Sequence, residues 1–363
     1  MMKLHLIFVG NKFTYNKSLK EYILRKIEQE FDFIDSITYF KESDNSLFLY
    51  LDQELSKGVK IIIISTKQNF STIGKLICTA TADNQVLKNN MLLPQKCELF
   101  QDGTYLINYL DSQINVLKID EMQYIPEILI KNDKDSVKIH IFEEEKDSAI
   151  IMLQPIAQTY DVNIEITEII KGWLVINIVS NKFGNMAKFL QSSKKLLPTK
   201  MIATNDIAYY IIEILSKHNK KISFAESCTG GLLTYFFTKT NGASKILDGS
   251  LITYSNELKE NWLAVDKNTI DKYGAVSIEV VEMMSEGALN VSHADYSLSI
   301  SGIAGDSGGT KEKPVGTVCI GVRSKDKNIE TTIKLNGDRN YVQYQSVLYA
   351  VKMLLLMDKK VFF

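Results

Sequence analysis

The chain has 363 residues, in which Lys and Arg total 42 against 43 Asp and Glu, for a formal net charge of -1. At roughly 100–200 residues per domain this length predicts two or three domains, each large enough to bury a core. The balanced charge excludes a long-range basic field that would draw nucleic acid or a membrane surface unaided. Four cysteines, Cys78, Cys97, Cys228 and Cys319, form no C-x-x-C pair and no zinc spacing. They suit reduced thiols in a cytosol better than a disulfide framework, and they argue against a structural zinc.

In chain order, the N-terminal run from Met1 to Gly10 is too short for a signal segment and lacks a cleavage site, so it reads as a buried strand over Leu4 to Val9. A helical pattern follows over Ser18 to Phe31, then an apolar strand over Val59 to Ile64. Short β-branched strands with helices between them predict an α/β layer with parallel strands. The polar cluster from Asn132 to Asp135 marks a boundary. Beyond it come a strand over Val137 to Phe142, a helix over Ala149 to Tyr160, strands over Val162 to Ile169 and Trp173 to Val179, and a helix over Met186 to Leu197. That β-α-β-β-α order predicts a small α+β module, with Leu197-Pro198-Thr199 as its exit. The expected domains are therefore 1–132, 136–198 and 202–363. The apolar stretch from Val347 to Met357 is broken by Lys352 and falls short of the ~20 residues a membrane span requires, so a soluble protein is expected.

The third unit opens on a helix with Thr204 as its expected cap and Ile207, Ile211, Ile214 and Leu215 along one face. A strand over Lys221 to Phe224 leads into Glu226-Ser227-Cys228-Thr229-Gly230-Gly231 and then an apolar helical run. A serine at a strand-to-helix turn lies beside unpaired N–H groups, and Gly230 and Gly231 permit close approach of a ligand. Ser227 is thus a candidate nucleophile. For an isolated Ser-x-Thr-Gly-Gly, capping of the helix by Ser227 or Thr229 is the simpler reading, and context decides.

Leu251 to Lys259 reads as a strand that ends in a helix capped by Ser255, with Lys259 in the first turns. A serine hydroxyl needs a base, and a lysine desolvated by burial can lose its proton near neutral pH. Tyr254 is placed to orient that lysine or relay a proton. Each alone is equally an ordinary surface lysine and strand aromatic. Farther on, the strand Tyr296 to Ile300 runs into Ser301-Gly302-Ile303-Ala304-Gly305, whose backbone donors can hold an oxyanion or a phosphate. No Gly-Lys-Ser/Thr triplet opens a helix there, so it is not a P-loop. Arg339, after Gly337-Asp338 at the start of the last long helix, could grip a phosphate with a bidentate fork, or form a surface ion pair.

Together, Ala225-Glu226-Ser227-Cys228-Thr229-Gly230-Gly231, Thr253-Tyr254-Ser255-Asn256-Glu257-Leu258-Lys259, Tyr273-Gly274-Ala275-Val276-Ser277, Ser301-Gly302-Ile303-Ala304-Gly305, Lys313-Pro314-Val315-Gly316-Thr317 and Gly337-Asp338-Arg339 resemble the CinA C-terminal domain, the nicotinamide mononucleotide deamidase family. The resemblance implies hydrolysis of nicotinamide mononucleotide to nicotinic acid mononucleotide and ammonia, with no cofactor and no metal. It implies Ser227 as nucleophile, Lys259 as base and Tyr254 beside them, with Thr229, Gly230, Gly231, Ser301, Gly302, Gly305 and Arg339 on the substrate. Ser301 stands where many relatives have Thr, and Asp306 replaces the usual proline. A cytoplasmic homo-oligomer is also implied, with a small-molecule nucleotide as its partner and neither nucleic acid nor membrane.

The layout of residues 1–132 is similar to the molybdopterin-binding-like domain of full-length CinA proteins, Phe8-Val9-Gly10 matching the first strand end. Where relatives carry Gly-Gly-x-Gly-Pro-Thr and paired Asp, this chain has Ser65-Thr66-Lys67-Gln68-Asn69-Phe70-Ser71, and Lys118-Ile119-Asp120-Glu121 replaces a Pro-Gly-Pro-Pro segment. Without those glycines and carboxylates the family's nucleotide pyrophosphatase activity has no visible support, and a scaffold role is expected. The middle unit resembles a KH-like module, but its only glycines, Gly172 and Gly184, are too far apart for the Gly-x-x-Gly loop that RNA binding needs. Two other readings remain: a nucleotide-binding assembly module without catalysis, and an amidase for another nucleotide amide.

Overall fold

The computed structural model describes residues 2–31, 33–42, 44–120, 123–132, 136–305 and 307–363. The chain forms two compact units, Met1–Lys134 and Asp135–Phe363. Of the boundary cluster expected at Asn132 to Asp135, only Asn132 lies among the described residues. Glu121 and Asp306, two points of departure from the family pattern, also lie outside them.

The first unit runs β1 (Leu4–Val9), α1 (Lys12–Tyr15), α2 (Lys17–Glu30), β2 (Ser36–Phe40), α3 (Ser46–Leu55), β3 (Lys60–Thr66) and α4 (Phe70–Ala80). There follow β4 (Gln85–Lys88), β5 (Met91–Pro94), β6 (Leu99–Gln101), β7 (Thr104–Tyr109) and β8 (Ser112–Ile119). Six strands make one sheet in the order β2-β1-β3-β8-β7-β6, while β4 and β5 pair separately. Ile61 to Ile64 of β3 are all fully buried because both faces of the sheet are covered. Ile61 and Ile63 join a core with residues of α3 and α4, whereas Ile62 and Ile64 join another with Ile23 and Ile27 of α2. The expected parallel pairing holds for β1, β2, β3 and β8, but β6, β7 and β8 pair antiparallel. The sequence pattern of residues 85–119 does not predict these strands, because β4, β5 and β6 have only three or four residues and show no strong alternation.

The second unit begins with β9 (Ser136–Phe142), α5 (Lys146–Thr159), β10 (Val162–Ile170), β11 (Trp173–Ser180), α6 (Met186–Leu196) and β12 (Met201–Ala203). These strands form an antiparallel sheet in the order β10-β11-β9-β12. The chain thus returns to this sheet once more after the expected exit at Leu197-Pro198-Thr199.

Next come α7 (Ile207–Lys217), β13 (Ile222–Glu226), α8 (Leu232–Thr238), β14 (Leu247–Ile252), α9 (Asn256–Leu263), α10 (Lys267–Tyr273) and α11 (Ile278–Ser292). The chain continues through β15 (Tyr296–Gly302), β16 (Thr317–Ser324), β17 (Asn328–Lys334), α12 (Arg339–Met357) and α13 (Lys359–Phe362). The cap of α7 is Asp206, whose carboxylate accepts from Ala208 N and Tyr209 N; Thr204 only braces it, its Oγ1 accepting from Asp206 N. An ionised side chain at the helix start takes two orphan donors where a hydroxyl takes one, which corrects the expected cap.

The five-stranded sheet has the order β14-β13-β15-β16-β17, with β13 between two parallel neighbours. Phe224 of β13 faces a core with residues of α7, α8 and α12; Ala225 faces another with residues of α9 and α11. The first of these cores also takes in Phe142, Ile170 and Trp173 of the small module. Trp173 is fully buried and donates its Nε1–H to His140 Nδ1 at 3.0 Å. Among the described residues no helix is long and apolar enough to cross a membrane.

Candidate active site

Helix α11 approaches the sheet closely because the strands beneath it carry small residues. Ser297 Oγ donates to Ser285 O and Ser299 Oγ to Val281 O, both at 2.6 Å, and a Cβ on Gly321 would stand 2.9 Å from Val281 O. On its other side α11 offers Gly287, where a Cβ would stand only 2.1 Å from Leu263 O at the end of α9. Small residues thus seat α11 low on the sheet and α9 against α11. That seating fixes Lys259, which α9 carries beneath the turn following β13.

Lys259 is only 1% exposed, yet no carboxylate bonds to its amine among the described residues. Its Nζ lies 3.1 Å from Ser227 Oγ, 2.9 Å from Thr253 O and 3.5 Å from Tyr254 O. Burial lowers its pKa from the usual 10.5, because the charged form loses water without gaining a counter-ion. Ser227 sits one residue past β13, with its N–H held by Ile300 O at 3.0 Å and 9% of its surface exposed. The neighbouring Cys228 is no rival nucleophile: burial pushes its thiol up to about 12.

These groups line a cavity of about 220 Å3 together with Tyr254, Asn256, Ala275, Val276, Ser301, Gly302, Ala304 and Arg339. Six of the expected site residues are thereby gathered: Ser227, Lys259, Tyr254, Ser301, Gly302 and Arg339. Tyr254 does not serve the lysine through its phenol. The ring is 60% exposed and its hydroxyl accepts from Arg339 Nη2 at 2.8 Å, while only its carbonyl approaches Lys259. Ser301 is buried and its Oγ donates to Ala275 O at 2.7 Å. A Cβ on Gly302 would stand 2.9 Å from Val318 Cγ2 and 3.0 Å from Cys228 Sγ, so glycine is needed there for packing.

Thr229, Gly230, Gly231 and Gly305 do not line the cavity. The Thr229 hydroxyl is turned inward and donates to Glu226 at 2.8 Å. Gly230 and Gly231 have φ of 59° and 101°, left-handed conformations that shape the turn. Gly305 lies beside Arg339, a Cβ there standing 3.4 Å from Nη1.

Two polar side chains at the site escaped the sequence reading. Glu226 is fully buried and accepts from Thr229 Oγ1, Gly231 N, Leu233 N, Thr234 N and Thr234 Oγ1 at 2.5–3.0 Å. Gln343, one turn into α12 from Arg339, donates its Nε2–H to Cys228 O at 2.6 Å. A carboxylate just ahead of Ser-x-Thr-Gly-Gly was a usable signal for the first, since it precedes a helix start; nothing local pointed to the second. Among the described residues no other residue accepts from the N–H groups of Cys228 and Thr229, the first reaching only its own thiol, while those of Ser227, Gly230 and Gly231 are all engaged by neighbouring residues.

Fold and site define an α/β protein that carries a buried serine–lysine pair at a strand-to-helix turn, with a tyrosine–arginine pair at the rim of the same cavity. A family model described as the CinA C-terminal domain matches residues 204–357, which contain all of these groups. The chain belongs to the CinA family. A CinA-like protein of Fervidobacterium nodosum is 47% identical over 150 residues, which cover 41% of this chain and 36% of that protein. One of Petrotoga mobilis is 29% identical over 339 residues, covering 90% of this chain and 81% of its own length. The crystal structure of competence/damage inducible protein CihA from Agrobacterium tumefaciens aligns over 42% of this chain and 93% of its own, at 32% identity and a TM-score of 0.41.

Proposed function

We propose that residues 202–363 form an amidohydrolase that converts nicotinamide mononucleotide to nicotinic acid mononucleotide and ammonia through an acyl-enzyme. The observation that carries the chemistry is the fully buried Lys259 amine 3.1 Å from Ser227 Oγ. A neutral amine there has one lone pair for the serine proton and two N–H groups for the Thr253 and Tyr254 carbonyls, so its three neighbours match its three valences. The nucleotide itself is proposed on the family's motifs.

In the first half-reaction Lys259 takes the Ser227 proton as the oxygen attacks the carboxamide carbon. The N–H groups of Cys228 and Thr229 receive the oxyanion, each such donor being worth about 3 kcal/mol in other hydrolases. Lys259 then returns the proton to the nitrogen, the C–N bond breaks and ammonia leaves. Water attacks the resulting ester, Lys259 takes its proton, and the acid is released as Ser227 is restored. No metal or cofactor enters these steps. Arg339, held by Tyr254 at the rim, binds the phosphate as a charge-assisted fork.

In this reading residues 1–132 act as a scaffold without pyrophosphatase activity: β3 runs through Thr66 directly into α4 at Phe70, and no glycine lies between them. The protein is proposed to be a cytoplasmic homo-oligomer, which a purely monomeric mass by light scattering would contradict. The function itself is tested by chromatography of nicotinamide mononucleotide incubated with the full chain and a chelator. Nicotinic acid mononucleotide is the expected product; unchanged substrate, or free nicotinamide from glycosidic cleavage, would overturn the reading.

A further inference from the structure

Two backbone donors at Ser227 are useful only if the turn that carries them is held in one orientation, and seven-residue α8 next to it would otherwise compete for the same local acceptors. Glu226 removes that competition. Its Oε2 takes Thr229 Oγ1, Gly231 N and Leu233 N, and its Oε1 takes Thr234 N and Thr234 Oγ1. All five partners donate, which suits an acceptor-only carboxylate; an amide would set its own N–H groups against at least one backbone N–H, since the two threonine hydroxyls can turn to accept but the backbone donors cannot. Capping α8 requires the bonds to Leu233 and Thr234, but the bond to Thr229 ties the cap back into the turn. From α12, Gln343 holds the Cys228 carbonyl at 2.6 Å, so the peptide whose N–H belongs to Thr229 is fixed by its other end.

We infer that Glu226 and Gln343 are positioning residues for the serine–lysine chemistry, clamping the 227–229 turn so that the N–H groups of Cys228 and Thr229 face the reacting carbonyl. The inference rests on Ser227 as nucleophile. It extends that reading, because neither side chain needs to touch substrate: Glu226 is fully buried and Gln343 is spent on the backbone. The clamp therefore governs reaction at Ser227 and leaves nucleotide affinity alone. It also places Arg339 and Gln343 on one helix, so the element that binds phosphate is the element that holds the nucleophile turn.

The test uses the full chain and a small fluorophosphonate, whose reaction with Ser227 forms an O–P bond, breaks the P–F bond and sends the hydroxyl proton to Lys259. The rate of labelling is read by intact mass, beside the affinity for nicotinic acid mononucleotide. Glu226→Gln and Gln343→Met are each expected to label about 10- to 100-fold more slowly, less than the roughly 100- to 1,000-fold lost when an oxyanion donor is removed outright because the donors are misaligned and not deleted, with affinity unchanged within about twofold. Thr234→Val, which strips one bond from Glu226 on the helix side, is expected to melt earlier yet label at the wild-type rate. If Glu226→Gln does not fold, Gln343→Met decides. Labelling of Gln343→Met at the wild-type rate, or a parallel loss of rate and affinity, overturns the clamp. A wild-type chain that is never labelled at Ser227 overturns the serine–lysine reading instead, and the clamp with it.

Discussion

Lys259 bears a desolvation cost that no ion pair among the described residues offsets. Its charged form is penalised in the folded chain, so between its lowered pKa and the unfolded value near 10.5 the unfolded state binds more protons, and stability rises with pH across that window. Lys259→Met, close in shape and free of charge, is therefore expected to abolish turnover at every pH while raising the Tm at pH 7 by a few degrees, a gain that shrinks toward pH 10. Thermal melts of the two proteins at both values check this; an equal or lower Tm at pH 7 would contradict it. In the proposed mechanism only the neutral amine accepts the serine proton, so wild-type turnover is expected to climb as pH rises through the lysine's lowered pKa. Arg339→Ala is expected to raise KM about tenfold or more with kcat changed far less, because the guanidinium bonds the rim tyrosine and not the reacting pair. At this scale the sequence was most readable where chemistry restricts residue type. Ser227, Lys259 and Arg339, which line one cavity, were singled out by type and position, whereas the pairing of Tyr254 with Arg339 depends on how the segment after β14 meets α12, which no local pattern encodes.

Elements position these groups by how closely they pack. Gly287 shows it most directly, since any side chain there collides with the backbone at Leu263. Gly287→Ala is expected to cost about 1–3 kcal/mol of stability and to push α9 away, lowering kcat through the Ser227–Lys259 distance. Denaturant melts and steady-state kinetics read the two effects; wild-type values in both would show that α9 is not seated by this contact. Helices and strands with strong periodicity were legible to within a few residues: β1 is Leu4–Val9 as expected, α6 ends one residue early and β15 runs two residues further, into Gly302. Of the hairpin strands from Gln85 to Ile119, β4, β5 and β6 were not, because their three or four residues are too few to show an alternation. The cap of α7 moved from Thr204 to Asp206 because both residues are plausible caps by type and only the backbone distinguishes them.

In the whole molecule, the small α+β module and the sheet that carries the site share one core within residues 135–363, through Phe142, Ile170 and Trp173. His140 lies at that junction, with burial pushing its pKa down to about 4 and Trp173 donating to its ring. A depressed histidine pKa means the unfolded chain binds the extra proton first, so this group costs stability as pH falls from about 6.5 to about 4 and no further below. His140→Gln, whose carbonyl can still accept from Trp173, is expected to flatten the Tm profile over that interval; an unchanged slope would remove His140 from the account. The balanced net charge and the alternation of strands and helices were legible from composition and periodicity, while the shared core that makes residues 135–363 one compact unit was not, since Trp173 reads as core in either case. Ammonia release from nicotinamide mononucleotide by the full chain, by Ser227→Ala and by Lys259→Met, with chelator present, tests the proposed reaction most directly. Release by the wild type that is lost in both variants is the expected result; release that persists in Ser227→Ala, or none from any of the three, would contradict it.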